Sequence, residues 1–167
     1  MNSVRAAERF PLLPGVVLGT GLGGFVDGIV LHQILQWHHM VTSAGYPPTN
    51  VDNLRINVFF DGFFHAITWI ATAVGLFLLH RAIRRGSRHS GRRLFGGLLL
   101  GWGIFNVVEG IIDHHILGLH HVREAAANPL LWDLGFLAFG GLLVVGGWAL
   151  ANSDTRAARG AELRRAA

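Results

Sequence analysis

The stretch LRINVFFDGFFHAITWIATAVGLFLLH, Leu54 to His80, decides the fold. It exceeds the ~20 mainly apolar residues that a helix rising ~1.5 Å per residue needs to cross a ~30 Å hydrocarbon core. Its polar members Asn57, Asp61, His65, Thr68 and Thr72 recur at steps of three and four and share one helical face. A helix that is apolar all round except for one polar stripe belongs in lipid, with the stripe turned toward other helices.

Three more such blocks lie outward from it, at 14–37, 94–119 and 129–151, with Pro14 well placed at a helix start. The expected fold is all-α: an integral membrane four-helix bundle forming a single domain over 1–167, with a polar, Arg-rich tail at 152–167. No internal repeat, linker or second domain is read from the sequence. The first block follows Arg5 and Arg9 as a signal peptide would, yet it continues through Asp27 and His32 to Trp37 and is read as a retained helix.

Composition agrees. The chain is 51% hydrophobic and 14% charged, against about 25% charged residues in soluble domains. Its basic residues are arginines, all but Arg55 outside the apolar blocks, so the net charge of +4 speaks for topology. No nucleic-acid-binding motif accompanies them. Arg81, Arg84, Arg85, Arg88, Arg92 and Arg93 crowd the second loop and Arg156, Arg159, Arg164 and Arg165 the tail, whereas Arg55 and Arg123 stand alone beside the other loops. Short positive loops stay in the cytoplasm, so both termini are expected there. The absence of cysteine excludes disulfides, thiolate metal sites and iron–sulfur clusters. Glycines at four-residue spacing (Gly15, Gly19, Gly23; Gly97, Gly101) read as close helix packing.

The ionisable residues converge at one depth. His32, His38 and His39 close the first block, and Asp61 and His65 lie in the entering half of the second. Glu109, Asp113, His114, His115, His120 and His121 crowd the end of the third, and Asp133 opens the fourth. Ideal helical phase groups His32 with Gln36 and His39, and Trp102 and Asn106 with Glu109, Asp113 and His120, His114 flanking. A charged group near the bilayer centre costs ~2.5–3.5 kcal/mol, and apart from Arg55 at the edge of the second, no lysine or arginine lies within the blocks to neutralise Asp27, Asp61, Glu109 and Asp113. A cation held by carboxylate and neutral imidazole satisfies the most groups together.

The expected metal ligands are His32, His39, Asp61, His65, Glu109, Asp113, His114, His121 and Asp133, with Glu109 and Asp113 as catalytic acid–base groups. His38 and His120 read equally as solvated rim, metal-collecting patch or ligand; His80 and His89 read as bland. Iron, copper and zinc all suit these donors, whose number accommodates two ions. The leading function is a metal-dependent enzyme: a non-haem oxidoreductase acting on a quinone or lipid, or a zinc hydrolase. The alternatives are metal binding, insertion or transport, a haem or quinone protein, and a metal-free proton-responsive module.

The segments GFVDGIVLHQILQWHHM (Gly24–Met40), FDGFFHAITW (Phe60–Trp69), GWGIFNVVEGIIDHHILGLHHVRE (Gly101–Glu124) and WDLGF (Trp132–Phe136) resemble a family of small bacterial multi-pass membrane proteins defined as a domain of unknown function. The resemblance implies the fold and the membrane location. It also implies a link to respiratory oxidase components and copper, because members accompany oxidase assembly genes.

Overall fold

The computed structural model describes residues 10–87 and 90–153, so Arg88, His89, Arg5, Arg9 and the tail beyond Ser153 lie outside the described residues. Four helices are each long and apolar enough to cross a membrane: α1 (Leu13–Ile34), α2 (Val51–Arg84), α3 (Gly91–Ile116) and α4 (Pro129–Ala151). Proline stands in the first turn of α1 and of α4. The Asn50 side chain caps α2 by accepting from the Asn53 N–H at 2.9 Å. Among the described residues every regular element is helical.

The helices pack in the order α2–α1–α3–α4. Glycine makes the central contact possible. Gly19 lies on the backbone of Leu98, and Gly101 on the backbone of Val16, so closely that a Cβ at either would collide with a main-chain carbonyl. With no hydrophobic force between helices in lipid, such backbone proximity is what holds them together.

The bundle is inside-out relative to a soluble protein. Its most completely buried large side chains are all polar: His32, His120, Asn57, Asn106, Asp61 and Asp133. Large apolar side chains face outward, Leu142 at 72% and Phe59 at 69% exposure being typical.

Contrary to the sequence reading, the chain is an internal duplication. VDGIVLHQILQWHH (Val26–His39) and VEGIIDHHILGLHH (Val108–His121) align without a gap, each residue displaced by 82 positions (109 − 27). The structure repeats with the sequence. Leu35 N–H donates to Val30 O and Trp37 N–H to Leu31 O; at the matching positions Leu117 donates to Ile112 and Leu119 to Asp113, all at 2.8–2.9 Å. Gln36 and its counterpart Gly118 both adopt the left-handed conformation, at φ 48° and 58°. The halves α1–α2 and α3–α4 are thus related by an approximate two-fold axis running along the bundle between α1 and α3. Eight of the fourteen aligned residues are identical, but the conservative exchange of Asp27 for Glu109 and the divergence of α2 from α4 mask the relation in a linear reading.

Ideal helical phase fails where it matters most. The last turns of α1 (Asp27–Ile34) and α3 (Gly110–Ile116) are π-helical. In an α-helix residues five apart diverge by about 140°; a π turn, bonded i to i+5, brings them onto one face. Asp27 therefore meets His32, and Glu109 meets His114. Both helices end before Gln36, His39 and His120, so the stripes drawn through those residues do not exist; the left-handed residues turn the chain back into the bundle instead.

Candidate metal centre

The cluster lies where α1 and α3 end and α2 and α4 begin, opposite the end that carries Arg81, Arg84, Arg85, Arg92 and Arg93. Each half contributes a carboxylate, a π-helix histidine and a histidine from the returning loop. In the first half these are Asp27, His32 and His38; in the second, Glu109, His114 and His120. His32 Nε2 lies 3.0 Å from Asp27 Oδ2. His114 Nε2 and His120 Nε2 lie 2.9 and 3.0 Å from Glu109 Oε1. His38 and His120 stack face to face on the axis with ring centroids 4.4 Å apart. Donor atoms of His32, His38 and His120 lie within 4.8 Å of one another, as do those of Glu109, His114 and His120.

The outer nitrogens are committed elsewhere. His38 Nδ1 bonds Val122 O at 2.8 Å, and His120 Nδ1 bonds Met40 O at 3.1 Å, so each loop is held by the other half. A carbonyl oxygen only accepts, so both Nδ1 atoms carry the hydrogen. His38 Nε2 then presents its lone pair inward, unpartnered, whereas His120 Nε2 is hydrogen-bonded to Glu109 Oε1 at 3.0 Å. His32 Nδ1 donates to Asp61 Oδ1 at 2.9 Å; Asp61 also accepts from His39 Nδ1 at 2.7 Å and from Met40 N–H at 2.9 Å. Asp133 repeats this, accepting from His121 Nδ1 at 2.6 Å and Val122 N–H at 2.9 Å. His114 Nδ1 stands 3.7 Å from Asp133 Oδ1, beyond hydrogen-bond reach.

The inner atoms are short of partners. Asp27 Oδ2, His32 Nε2, His38 Nε2, Glu109 Oε2 and His114 Nε2 are all buried without a hydrogen bond. Several lie about 3 Å from a neighbour, yet no N–H points along the line between them. Lone pair facing carboxylate in a buried space is repulsive unless a cation lies between. Burial, with the His120 and His32 rings beside it, holds the pKa of His38 well below the ordinary imidazole value of 6.5. The neutral ring that results is the form that ligates metal.

Charge gives a second argument. Asp27, Asp61, Glu109 and Asp133 are at most 6% exposed, and the ion pairs described for them are all with imidazole. Four buried negative charges match two divalent cations.

The structure thus redistributes the expected ligands. His32, Glu109 and His114 come together as read. Asp61, His39, Asp133 and His121 meet one another around the cluster, gripping imidazoles from outside. His65 belongs to neither donor trio; its ring rests against Gly28 and stacks with Phe25 at 6.3 Å, and its counterpart in α4 is Leu137. Asp113 is half-buried and also outside the trios. Asp27, not among the expected ligands, lies outside both trios but 3.0 Å from His32, while His38 and His120, expected as rim or ligand, belong to the trios. The unrecognised repeat would have singled out all three, because each occurs at the same place in both copies.

An Asp61→Asn or Asp133→Asn exchange leaves the shape of these supports intact while removing their charge. Each is expected to weaken metal affinity ~10–100-fold, read by competition with a chromogenic chelator, with little change in the fold.

These features define a class: a multi-pass, all-helical membrane protein with buried His/carboxylate groups able to hold metal. The chain belongs to the family of predicted membrane proteins DUF2243, whose model matches residues 14–154. No curated protein and no solved structure matches it.

Proposed function

We propose that this chain is a membrane metalloenzyme, a non-haem oxidoreductase, whose two related triads, Asp27–His32–His38 and Glu109–His114–His120, hold two transition-metal ions. One observation carries the reading: the unpartnered inward Nε2 atoms of His32 and His38, on rings whose Nδ1 hydrogens are fixed from outside. Metal-bound histidines are oriented in this way, with the second nitrogen donating to a carboxylate or backbone carbonyl. Two imidazoles and one carboxylate per ion, with no sulfur, match the donor set of non-haem iron. Donor atoms at right angles on an ion about 2.1 Å away stand about 3 Å apart, the spacing found for the His32–Asp27 and His114–Glu109 pairs.

A carrier or transport site has to release its ion. Here His32, His38, His114 and His120 are at most 4% exposed and held from both loops, which favours a resident centre. When bound, the ions supply one-electron exchange. The protein orients the imidazoles and keeps water out. The arginine asymmetry supports cytoplasmic termini, in a bacterial inner membrane, with the centre in the outer half of the bilayer.

Elemental analysis of detergent-purified protein tests this directly. The expected result is about two iron ions per chain with visible absorption from ligand-to-metal charge transfer. Stoichiometric zinc without colour would replace the oxidoreductase with a hydrolase, and folded protein without metal would end the reading.

A further inference from the structure

The two-fold symmetry separates what the frame requires from what one half has added. A requirement of the frame occurs twice; a feature present once serves something else. Two clefts open beside the cluster, each with one of its carboxylates in the wall. The first, about 410 Å³, includes Asp27; the second, about 310 Å³, includes Glu109. Phe136 in the first corresponds to Phe64 in the second, and Val26 to Val108. They are the same cleft, twice.

Their differences are chemical. The first cleft has Trp102 where the second has Thr20, and is walled besides by Trp37, Trp132 and Phe139. Asn106 also lines it, where the matching residue of the other half is Gly24. Asn106 is 2% exposed, and its Oδ1 has no hydrogen-bond partner. An unmet acceptor in an aromatic chamber asks for a donor, because an unsatisfied buried polar group costs about 1–3 kcal/mol. An acyl chain brings none. Arg123 lies over the indoles of Trp37 and Trp132, 5.2 and 5.0 Å from their centroids, and steadies that wall.

We propose that the Trp-lined cleft between α1, α3 and α4 binds a quinol, a planar aromatic ring carrying hydroxyl groups, drawn from the lipid phase. The indoles and Phe136 receive the ring by edge and offset contact. One hydroxyl donates to Asn106 Oδ1, on the side of the chamber that Asp27 connects to the cluster. The volume lies within the 300–1,000 Å³ common for small-molecule sites. This deepens the proposed function by naming its substrate class, and as a role it rests on that reading; the binding itself does not need the metal.

The test uses the full chain in nanodiscs, with a short-chain alkyl hydroquinone and its dimethyl ether as probes. Tryptophan quenching reports binding, and metal content is measured on the same samples. Saturable quenching is expected for the quinol, with the ether at least tenfold weaker. Asn106→Leu, which removes the acceptor at similar size, is expected to erase that tenfold preference. Gly135→Phe is expected to abolish saturable quenching by both probes with metal content unchanged, since Gly135 lines the cleft and a Cβ there meets nothing within 4 Å. Equal binding of quinol and ether to the unaltered protein, quenching that never saturates, or wild-type binding in the Gly135→Phe variant would each overturn the proposal. Metal-free protein that still prefers the quinol would sink the metalloenzyme and keep the cleft; metal-loaded protein without saturable quenching would do the reverse.

Discussion

Purified His120→Ala protein is expected to carry less than a tenth of the metal of the unaltered chain, the largest loss of any single ligand exchange. His120 is the one residue common to both donor trios, and its ring stacks on His38 at the two-fold axis. Its removal strips a donor from both trios and frees the loop bonded to Met40 O. His38→Ala is expected to follow with a smaller loss, since it removes a donor from one trio only. His65→Ala is the informative contrast. That ring shares the polar face of α2 with Asp61, yet packs on Gly28 outside the trios, so its loss should leave the metal in place. Plasma emission spectrometry on the three variants, with circular dichroism to verify helix content, decides the assignment. Equal metal content in all three would remove it.

Gly19→Ala and Gly101→Ala are expected to produce the second large effect, on the bundle itself. A single methyl at either position would be driven into the main chain of the facing helix, where no rotamer change relieves it. Overpacking of ordinary cores costs ~1–3 kcal/mol; backbone against backbone belongs at or above the top of that range. Each triad spans α1 or α3 and the loop following it, so prying these helices apart should also drain the metal. Thermal unfolding in detergent, followed by near-ultraviolet dichroism, measures this. Gly141→Ala, where an added Cβ meets nothing within 4 Å, serves as the neutral control.

The sequence carried the fold well, for a physical reason. Lipid imposes length and uniform apolarity on each crossing, and both are visible in Leu54–His80 without tertiary information. The depth of the cluster followed from the same threading. What could not be read was local geometry. Counting at 3.6 residues per turn sets Asp113 in line with Glu109 and leaves His114 at the side; the π-helical turn reverses their positions. Similarly, His38 and His120 follow the last helical turn in sequence and look interfacial. Only the left-handed Gln36 and Gly118 send them back inside, and a positive φ at glutamine has no signature in composition. The partners of Asp61 and Asp133 were likewise hidden, because a carboxylate that holds an imidazole and one that binds a cation are the same residue type.

The duplication carries one more consequence. A unit that crosses the membrane twice returns to the side it left, so a second copy joined to it enters with the same polarity. Had the ancestral unit crossed an odd number of times, fusion would have inverted the second copy and set its triad on the far leaflet, a membrane's width from the first. An even count lets both copies complete a single centre. Joining them also ends an obligation that binds any homodimer, in which every substitution is made twice. Trp102 and Asn106 show that liberty in use: one flank has specialised while its twin keeps Thr20 and Gly24.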